Sequence, residues 1–248
     1  MMKREVGEEY ARMIPKKIHY CWFGGKKKPR KVLRCIKSWK KYCPDYEIVE
    51  WNEDNFDINI NGYTRMCFSE RKWAYLSDYA RLYVVANEGG IYFDTDVELV
   101  HSFDDLLNYN GFYGFEDSES IATGLGFGSA ANDPVILQML SEYDALLTGD
   151  SGTVICTKLN TNALKRLVFN INGEKQEING VVLLPTDYLN PMDSATGKTT
   201  ITDNTYSIHR YTMSAFPTWK RYRTYITRIF HRFFGVHCFD FIKKGLSG

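Results

Sequence analysis

The chain predicts an α/β fold in a single domain, and three observations carry that prediction. Strand-type and helix-type segments alternate along it without internal repeats or low-complexity tracts. At 248 residues and 44% hydrophobic, it has apolar material for one large core, or for one domain with a small appendage. The stretch from Glu70 to Asp96 reads as helix, glycine turn and short apolar strand in immediate succession. The domain is expected over residues 14–218, between a polar N-terminal tail at 1–13 and a C-terminal tail at 219–248 of different character.

Lys17 to Trp22 is the first expected strand, closed by Phe23, Gly24 and Gly25 and followed by a basic loop from Lys26 to Arg30. Pro29 marks a helix start, because its fixed φ suits a first turn whose N–H groups have no helical partner. Val32, Leu33, Ile36 and Trp39 then recur at helical spacing as far as the Cys43-Pro44 break. Tyr46 to Trp51 reads as a second strand and Asn52 to Asp57 as a polar loop. Glu70 to Glu88 is the strongest helix pattern, with Trp73, Leu76, Ala80 and Val84 on one stripe and Gly89 as its C-terminal cap. Further on, Phe112 to Asp117 and Val181 to Leu184 read as strands and Pro134 to Leu147 as an apolar helix. Gly124 to Ser129 is glycine-rich but lacks the lysine of a P-loop and the Rossmann spacing, so it reads as a turn rather than a phosphate cradle.

Composition excludes several classes. A formal net charge of +1 gives no overall field for nucleic acid. The six cysteines form no C-x-x-C and are irregularly spaced, which suits buried reduced thiols better than a disulfide framework or a zinc site. The N-terminus, MMKREVGEEYARM, has no apolar core of a leader, and no run approaches the ~18 apolar residues of a membrane span. A cytoplasmic location follows as the expectation.

The segment Gly89 to Asp96, GGIYFDTD, carries the most chemistry. If the strand continues through its end, alternation aims Asp94 and Asp96 the same way, with Thr95 opposite. Two converging carboxylates offer the hard oxygens that Mn2+ and Mg2+ prefer and commonly share with substrate phosphates. The pair therefore reads as a cation clamp for a diphosphate, against the plain alternative of an acidic surface turn. On the preceding helix, Asp78 and Arg81 are three residues apart and off the apolar stripe, hence neighbours. A simple ion pair explains them; so does a site, since an arginine neutralises a departing diphosphate and an aspartate accepts from sugar hydroxyls.

IPKKIHYCWFGG together with SDYARLYVVANEGGIYFDTD resembles the small bacterial glycosyltransferases of family 32, the sugar-binding D-x-D transferases, and more distantly the catalytic domains of clostridial glucosylating toxins. The likeness runs from about Ile14 to Trp219 and is loose in the middle. It implies a GT-A fold, a Rossmann-like central mixed sheet flanked by helices. It also implies a nucleotide sugar donor, usually UDP-linked, a Mn2+ or Mg2+ ion, and retaining transfer of a hexosyl or N-acetylhexosaminyl group. The implied acceptor is a glycan or lipid-linked glycan in surface polysaccharide synthesis.

Matched position by position, Cys21 and Trp22 fall where relatives hold the nucleotide base, and Ser77, Asp78 and Arg81 form the family's S-D-x-x-R at donor sugar and diphosphate. Asp78 and Arg81 are the catalytic pair in this reading. Tyr92 and Asp94 match positions near ribose and donor, and Asp96 matches the direct metal ligand. Asp94 and a late histidine, His209, complete the metal set. Family members often read Ser-Trp five residues after that histidine; here Ser214 is followed by Ala215, so Ser214 and Trp219 are the substitutes expected over the diphosphate. Independently, an exposed aromatic at a strand's carboxyl end suits base stacking, with a core tryptophan the alternative for Trp22. Neutral imidazole suits Mn2+, with a structural histidine the alternative for His209. Asp187 and Asn190 lie within reach of donor or acceptor without a spacing that assigns a role.

From Trp219 to Lys244 there are seven Lys and Arg against one acid, interleaved with aromatic and aliphatic residues. This basic amphipathic tail fits either a helix packed on the core or an anionic membrane surface on the inner face of the plasma membrane. No nucleic-acid motif accompanies it. Two other readings stand beside the transferase. A haloacid dehalogenase-type phosphohydrolase also uses a strand-terminal D-x-D, but wants Thr or Val where this chain has Glu98. A non-catalytic glycan-binding protein on the same fold is the other, with Ala215 its one hint.

Overall fold

The computed structural model describes residues 13–212 and 218–239. In chain order the elements are β1 (Lys17–Cys21), α1 (Arg30–Tyr42), β2 (Glu47–Trp51), α2 (Gly62–Ser69), α3 (Trp73–Glu88), β3 (Gly90–Tyr92), β4 (Val97–Leu99), β5 (Gly111–Asp117), β6 (Ser120–Ile121) and β7 (Phe127–Ser129). There follow α4 (Pro134–Ser141), α5 (Cys156–Arg166), β8 (Gln176–Ile178), β9 (Val181–Leu184), α6 (Thr186–Leu189), β10 (Ser207–His209) and α7 (Thr218–Phe234). Among the described residues, the central sheet has eight strands in the order β2-β1-β3-β7-β5-β9-β8, with β6 on β5, and β4 pairs with β10 in a separate ribbon. The sheet is mixed: β1 runs parallel to β2 and β3, whereas β7 is antiparallel to both β3 and β5.

Both faces of the sheet are covered, so its central strands are apolar throughout rather than alternating with polar residues. Along β9, Val181 and Leu183 join a core with α3, α4 and α5, including Leu76, Ile136 and Leu164. Val182 and Leu184 join the opposite core, with Trp39 of α1, Phe93 and Phe103. Along β3 the same alternation sends Tyr92 to the α3 side and Phe93 to the α1 side. Expectations and structure differ mainly at boundaries. The first strand ends at Cys21, and Trp22 already turns away with its N–H on Trp51. The expected helix from Glu70 begins only at Trp73, because Arg71 adopts φ 56° and separates it from α2, an element the sequence reading did not contain.

The turn from α3 into β3 needs Gly89. Its φ is 66° and a side chain there would collide with Pro15, so both conformation and space select glycine. His19 of β1 fastens the same turn. Its Nε2–H donates to the Gly89 carbonyl at 2.8 Å, while Nδ1 accepts from the Trp51 indole at 3.0 Å. This histidine is fully buried and fully partnered, and burial lowers its pKa. All six cysteines are free thiols, four of them buried. No helix among the described residues is long and apolar enough to cross a membrane.

Candidate functional site

The site lies where β1 and β3 end side by side. Their register pairs His19 with Tyr92, so two residues further on Cys21 and Asp94 are neighbours at the carboxyl edge of the sheet. The aspartates do not continue the strand as alternation assumed. β3 stops at Tyr92, and residues 94–97 form a turn closed by the Val97 N–H on the Asp94 carbonyl at 3.0 Å. The turn, rather than the pleat, brings the two carboxylates together. His209 arrives from β10, which pairs with β4 in the register Val97 to His209. One ligand atom each from Asp94, Asp96 and His209 lies within 4.8 Å of the others.

Asp96 is the best-fixed member. One oxygen meets His209 Nε2 at 3.1 Å, and the other accepts from the backbone N–H and hydroxyl of Thr212 at 2.8 and 3.1 Å. Burial opposes its ionisation, but His209 and Thr212 outweigh burial and hold the carboxyl low, at about 2. His209 is raised in turn: burial favours its neutral form, and Asp96 more than compensates. Its Nδ1 is buried with no hydrogen-bond partner, in contrast to the two satisfied nitrogens of His19. Asp94 differs from Asp96. Burial pushes its carboxyl up, with Arg81 opposing and Asp96 adding to the rise. The Tyr92 hydroxyl donates to it at 3.0 Å. Two carboxylates and one imidazole with ligand atoms this close are a donor set that fits Mn2+ or Mg2+.

Beside this triad stands Arg81. The sequence suggests a pair on an outer helix face, yet Asp78 and Arg81 are both buried, 8% and 3% exposed, because α3 is covered almost all round. Arg81 Nη2 donates to Asp78 Oδ1, and Nε to the Ser77 carbonyl. Nη1 is 3.7 Å from Asp94 Oδ1, near enough to feel its charge, but forms no hydrogen bond. The guanidinium also lies over the Tyr92 ring, 5.1 Å from its centroid. Asp78 is pushed up by burial, with Arg81 pulling the other way. Cys21 sits among Arg81, Tyr92, Asp94 and Ser77, and burial raises its thiol to about 12, so it serves as a neutral wall and not as a nucleophile.

Two expected residues do not join this cluster. Trp22 is half-buried, packs against the α1-side core and is tied to the basic loop, its indole N–H donating to the Lys26 carbonyl at 2.6 Å and the Lys28 ammonium lying 5.7 Å from its ring centroid. Trp219 stands on α7, 61% exposed and turned outward instead of folded over the acids. Ser214 lies outside the described residues.

Several participants were missed from sequence. Gly124 approaches the triad so closely that a Cβ there would be 2.5 Å from Asp94 Oδ2 and 3.0 Å from Arg81 Nη1. The glycine-rich run that reads as a turn thus makes room at the site. Its φ is outside the left-handed region, so Gly124→Ala is expected to fold normally while lowering Mn2+ affinity by about 10- to 100-fold; a calorimetric Mn2+ titration beside a thermal melt checks both halves. Tyr211 packs edge-on against His209 with centroids 4.2 Å apart, and its hydroxyl donates to Asn190 Oδ1. Asn190 also donates to the Glu116 carbonyl, while Asp187 is occupied with Thr202 and Asn204. The signal for Tyr211 and Thr212 was adjacency to His209, and for Gly124 the glycine-rich run itself; nothing local marked Glu116.

Two clefts share Tyr211 as a wall. One, of about 640 Å3, carries the carboxylates of Glu116, Asp117, Asp187 and Asp193 together with Asn190. Burial raises the Glu116 carboxyl, against the influence of His209. The other, of about 570 Å3, includes Thr212, Glu98 and several cations.

Residues 29–113 match the family described as glycosyltransferase sugar-binding region containing DXD motif. The chain is 27% identical over 140 residues to inositol phosphoceramide mannosyltransferase 3 of Schizosaccharomyces pombe, covering 55% of this chain and 39% of that protein. It is 27% identical over 130 residues to Subversion of eukaryotic traffic protein A of Legionella pneumophila, covering 42% and 20%. It thus spans about two fifths and one fifth of these relatives. Among solved structures, PaToxG glycosyltransferase superposes with a TM-score of 0.52 at 20% identity, covering 63% of this chain and 71% of that one. The fold is of the GT-A type, as the resemblance read from the sequence implies.

Proposed function

We propose that this chain, whose residues 29–113 match a D-x-D sugar-binding region and whose fold is of the GT-A type, is a metal-dependent retaining glycosyltransferase using a nucleotide sugar, UDP-linked by preference. The observation that carries the reading is the convergence of Asp94, Asp96 and His209 beside the unpartnered, buried Nη1 of Arg81. Three ligands with no salt-bridging lysine among them suit a cation, and a buried guanidinium nitrogen without an acceptor suits an anion next to it. A nucleotide diphosphate supplies that anion. When bound, Mn2+ or Mg2+ would act as a Lewis acid on the diphosphate. Arg81 would neutralise charge growing on the leaving group, held in place by Asp78 and the Ser77 carbonyl. Cys21 and Trp22 would border the nucleoside, with Tyr92 toward the ribose. Ser214 would lie over the diphosphate, and Trp219, exposed on α7, would reach it only by a movement of that helix. The carboxylate- and amide-lined cleft behind Tyr211 suits the hydroxyls of a glycan or lipid-linked glycan acceptor in surface polysaccharide synthesis. Asp78 is engaged by Arg81 and is a poor nucleophile, which favours attack from the leaving-group face, the phosphate oxygen assisting the acceptor hydroxyl.

Thermal denaturation with a panel of nucleotide sugars, with and without Mn2+, tests this. One donor is expected to stabilise only when the metal is present, by about 2.7 kcal/mol at about 100 times its Kd. Stabilisation by no donor under either condition would overturn the proposal; metal-dependent binding without UDP release from any acceptor mixture would make the chain a glycan-binding protein instead.

The same experiment has a pH signature. Metal needs His209 neutral, and its raised pKa means that Mn2+ affinity is full at higher pH and declines as pH falls through that value, while Asp96 remains ionised until about 2. Without metal the sign reverses: the protonated His209–Asp96 pair is fully stabilising below the unfolded histidine pKa and is lost as pH rises through the folded one. Melting curves from mildly acidic to mildly alkaline pH should therefore diverge between the loaded and unloaded protein.

A further inference from the structure

α7 lies on the protein the wrong way round for a packed amphipathic helix. Its polar side faces inward: Arg228 Nε donates to the Ser194 carbonyl at 2.9 Å, and Arg232 donates to the carbonyls of Thr196 and Gly197 at 2.6 and 2.8 Å. His231 Nδ1 meets the Ala195 carbonyl at 3.1 Å, so one turn of the helix is clamped to the loop 194–197. Trp219, Tyr222, Ile226, Ile229, Phe230 and Phe233 recur at intervals of three and four on the other side, each 40–78% exposed. A helix burying its apolar stripe in the core would present the opposite arrangement. At 17 residues, with cations along its length, α7 is built to lie in an interface and not to cross one.

Charge identifies what covers the stripe. TWKRYRTYITRIFHRFF contains no acidic residue, and the Lys220 ammonium lies 5.8 Å from the Trp219 ring centroid at one edge of the stripe. The cleft of about 570 Å3 between α1, the β4–β10 ribbon and α7 is lined by Lys31, Arg34, Arg210, Arg221 and Arg228, against Glu98. Glu98 already takes Arg210 at 2.7 Å and Arg34 at 3.2 Å, which leaves a surplus of positive charge. Tyr222 belongs to both features, and Tyr225 stands between them at the rim of the cleft. Both tyrosines line the cleft, are 69% and 65% exposed, and so make the cleft open along the edge of the stripe. An apolar strip bordered by aromatic rings and continuous with a cationic hollow matches an acyl boundary bordered by anionic phosphates.

We propose that α7 docks this chain on an anionic bilayer, its outward stripe lying in the headgroup–acyl boundary and the cleft beneath Tyr222 and Tyr225 receiving a lipid phosphate. Docking there would bring Thr212, and through it Asp96, to the membrane surface, so that a lipid-borne acceptor meets the site without leaving the bilayer.

Flotation of the full chain with vesicles, without nucleotide sugar, tests the proposal separately from the transferase reading, which is tested by donor binding without lipid. Vesicles of phosphatidylcholine with phosphatidylglycerol are expected to carry the protein, and phosphatidylcholine alone to leave it behind. Arg221→Glu, in the cleft, should lower partitioning by at least about tenfold, and the double variant Ile226→Glu with Phe230→Glu should abolish it. Both should keep the metal-dependent response to donor, which shows that they fold. Brominated lipid should quench tryptophan emission in the parent and much less in Trp219→Phe. Equal flotation with neutral vesicles, or flotation indifferent to the stripe variant, would overturn the proposal. So would a lipid-free dimer that the stripe variant converts to monomer, since the stripe would then be an interface between two copies of the chain.

Discussion

Asp96→Ala is expected to abolish Mn2+ binding and to lower sugar transfer by about 10³-fold, the cost of losing a group that fixes charge stabilisation at the reacting centre. The size of the effect follows from how much converges on this carboxylate. It is one of three candidate ligands, it holds His209 at 3.1 Å, and it receives both donors of Thr212. Removing it should also cost stability of about 1–3 kcal/mol, since a backbone N–H on the β10 extension loses its acceptor. His209 should become easier to deprotonate, because the anion that raises it is gone. Calorimetric Mn2+ titration, donor turnover and the imidazole titration followed by NMR give three separate readouts. Full Mn2+ affinity in the variant would remove Asp96 from the site.

Arg81→Ala carries the second large expected effect, on stability first. Asp78 is buried and its principal partner is Arg81, so truncation leaves a buried carboxylate uncompensated at a cost of about 3–5 kcal/mol. Such a variant could fail to fold, so two others separate the roles. Arg81→Lys retains a charge but loses the planar fork that reaches Asp78 and Asp94 together, and is expected to melt near the parent while turning over donor about 100-fold more slowly. Asp78→Leu with Arg81→Met replaces the pair by apolar volume and should recover much of the lost stability with no recovery of transfer. Recovery of both would mean that the pair only holds α3 in place.

Much of the molecule was legible because local chemistry and global placement agree there. Pro29 caps α1 as its fixed φ requires, Val181–Leu184 is a strand to the residue, and the D-x-D carboxylates do converge with His209. Where reading failed, the deciding contact was distant in sequence. α2 has weak apolar periodicity and is started by a reciprocal cap between Asn61 and Thr64, which a stripe-based reading passes over. Asp94 and Asp96 meet through a turn that alternation does not describe. Helical spacing showed that Asp78 and Arg81 adjoin, but their burial comes from strands and helices far along the chain. Gly124 is 30 residues from Asp94, and only the folded chain shows that a methyl group would collide with it. For α7, periodicity identified an apolar side without revealing which side the domain would take; the carbonyls of 194–197 decide that.

Tyr211 ties the two clefts together. It is a non-glycine residue at φ 45°, an uncommon backbone state that its surroundings must maintain, and its ring leans on His209 while its hydroxyl grips Asn190. A partition of one side chain cannot be pushed from one chamber without moving in the other. A displacement of that ring on filling either chamber would reach the imidazole, so filling one side is expected to alter affinity on the other, and by the same factor in return.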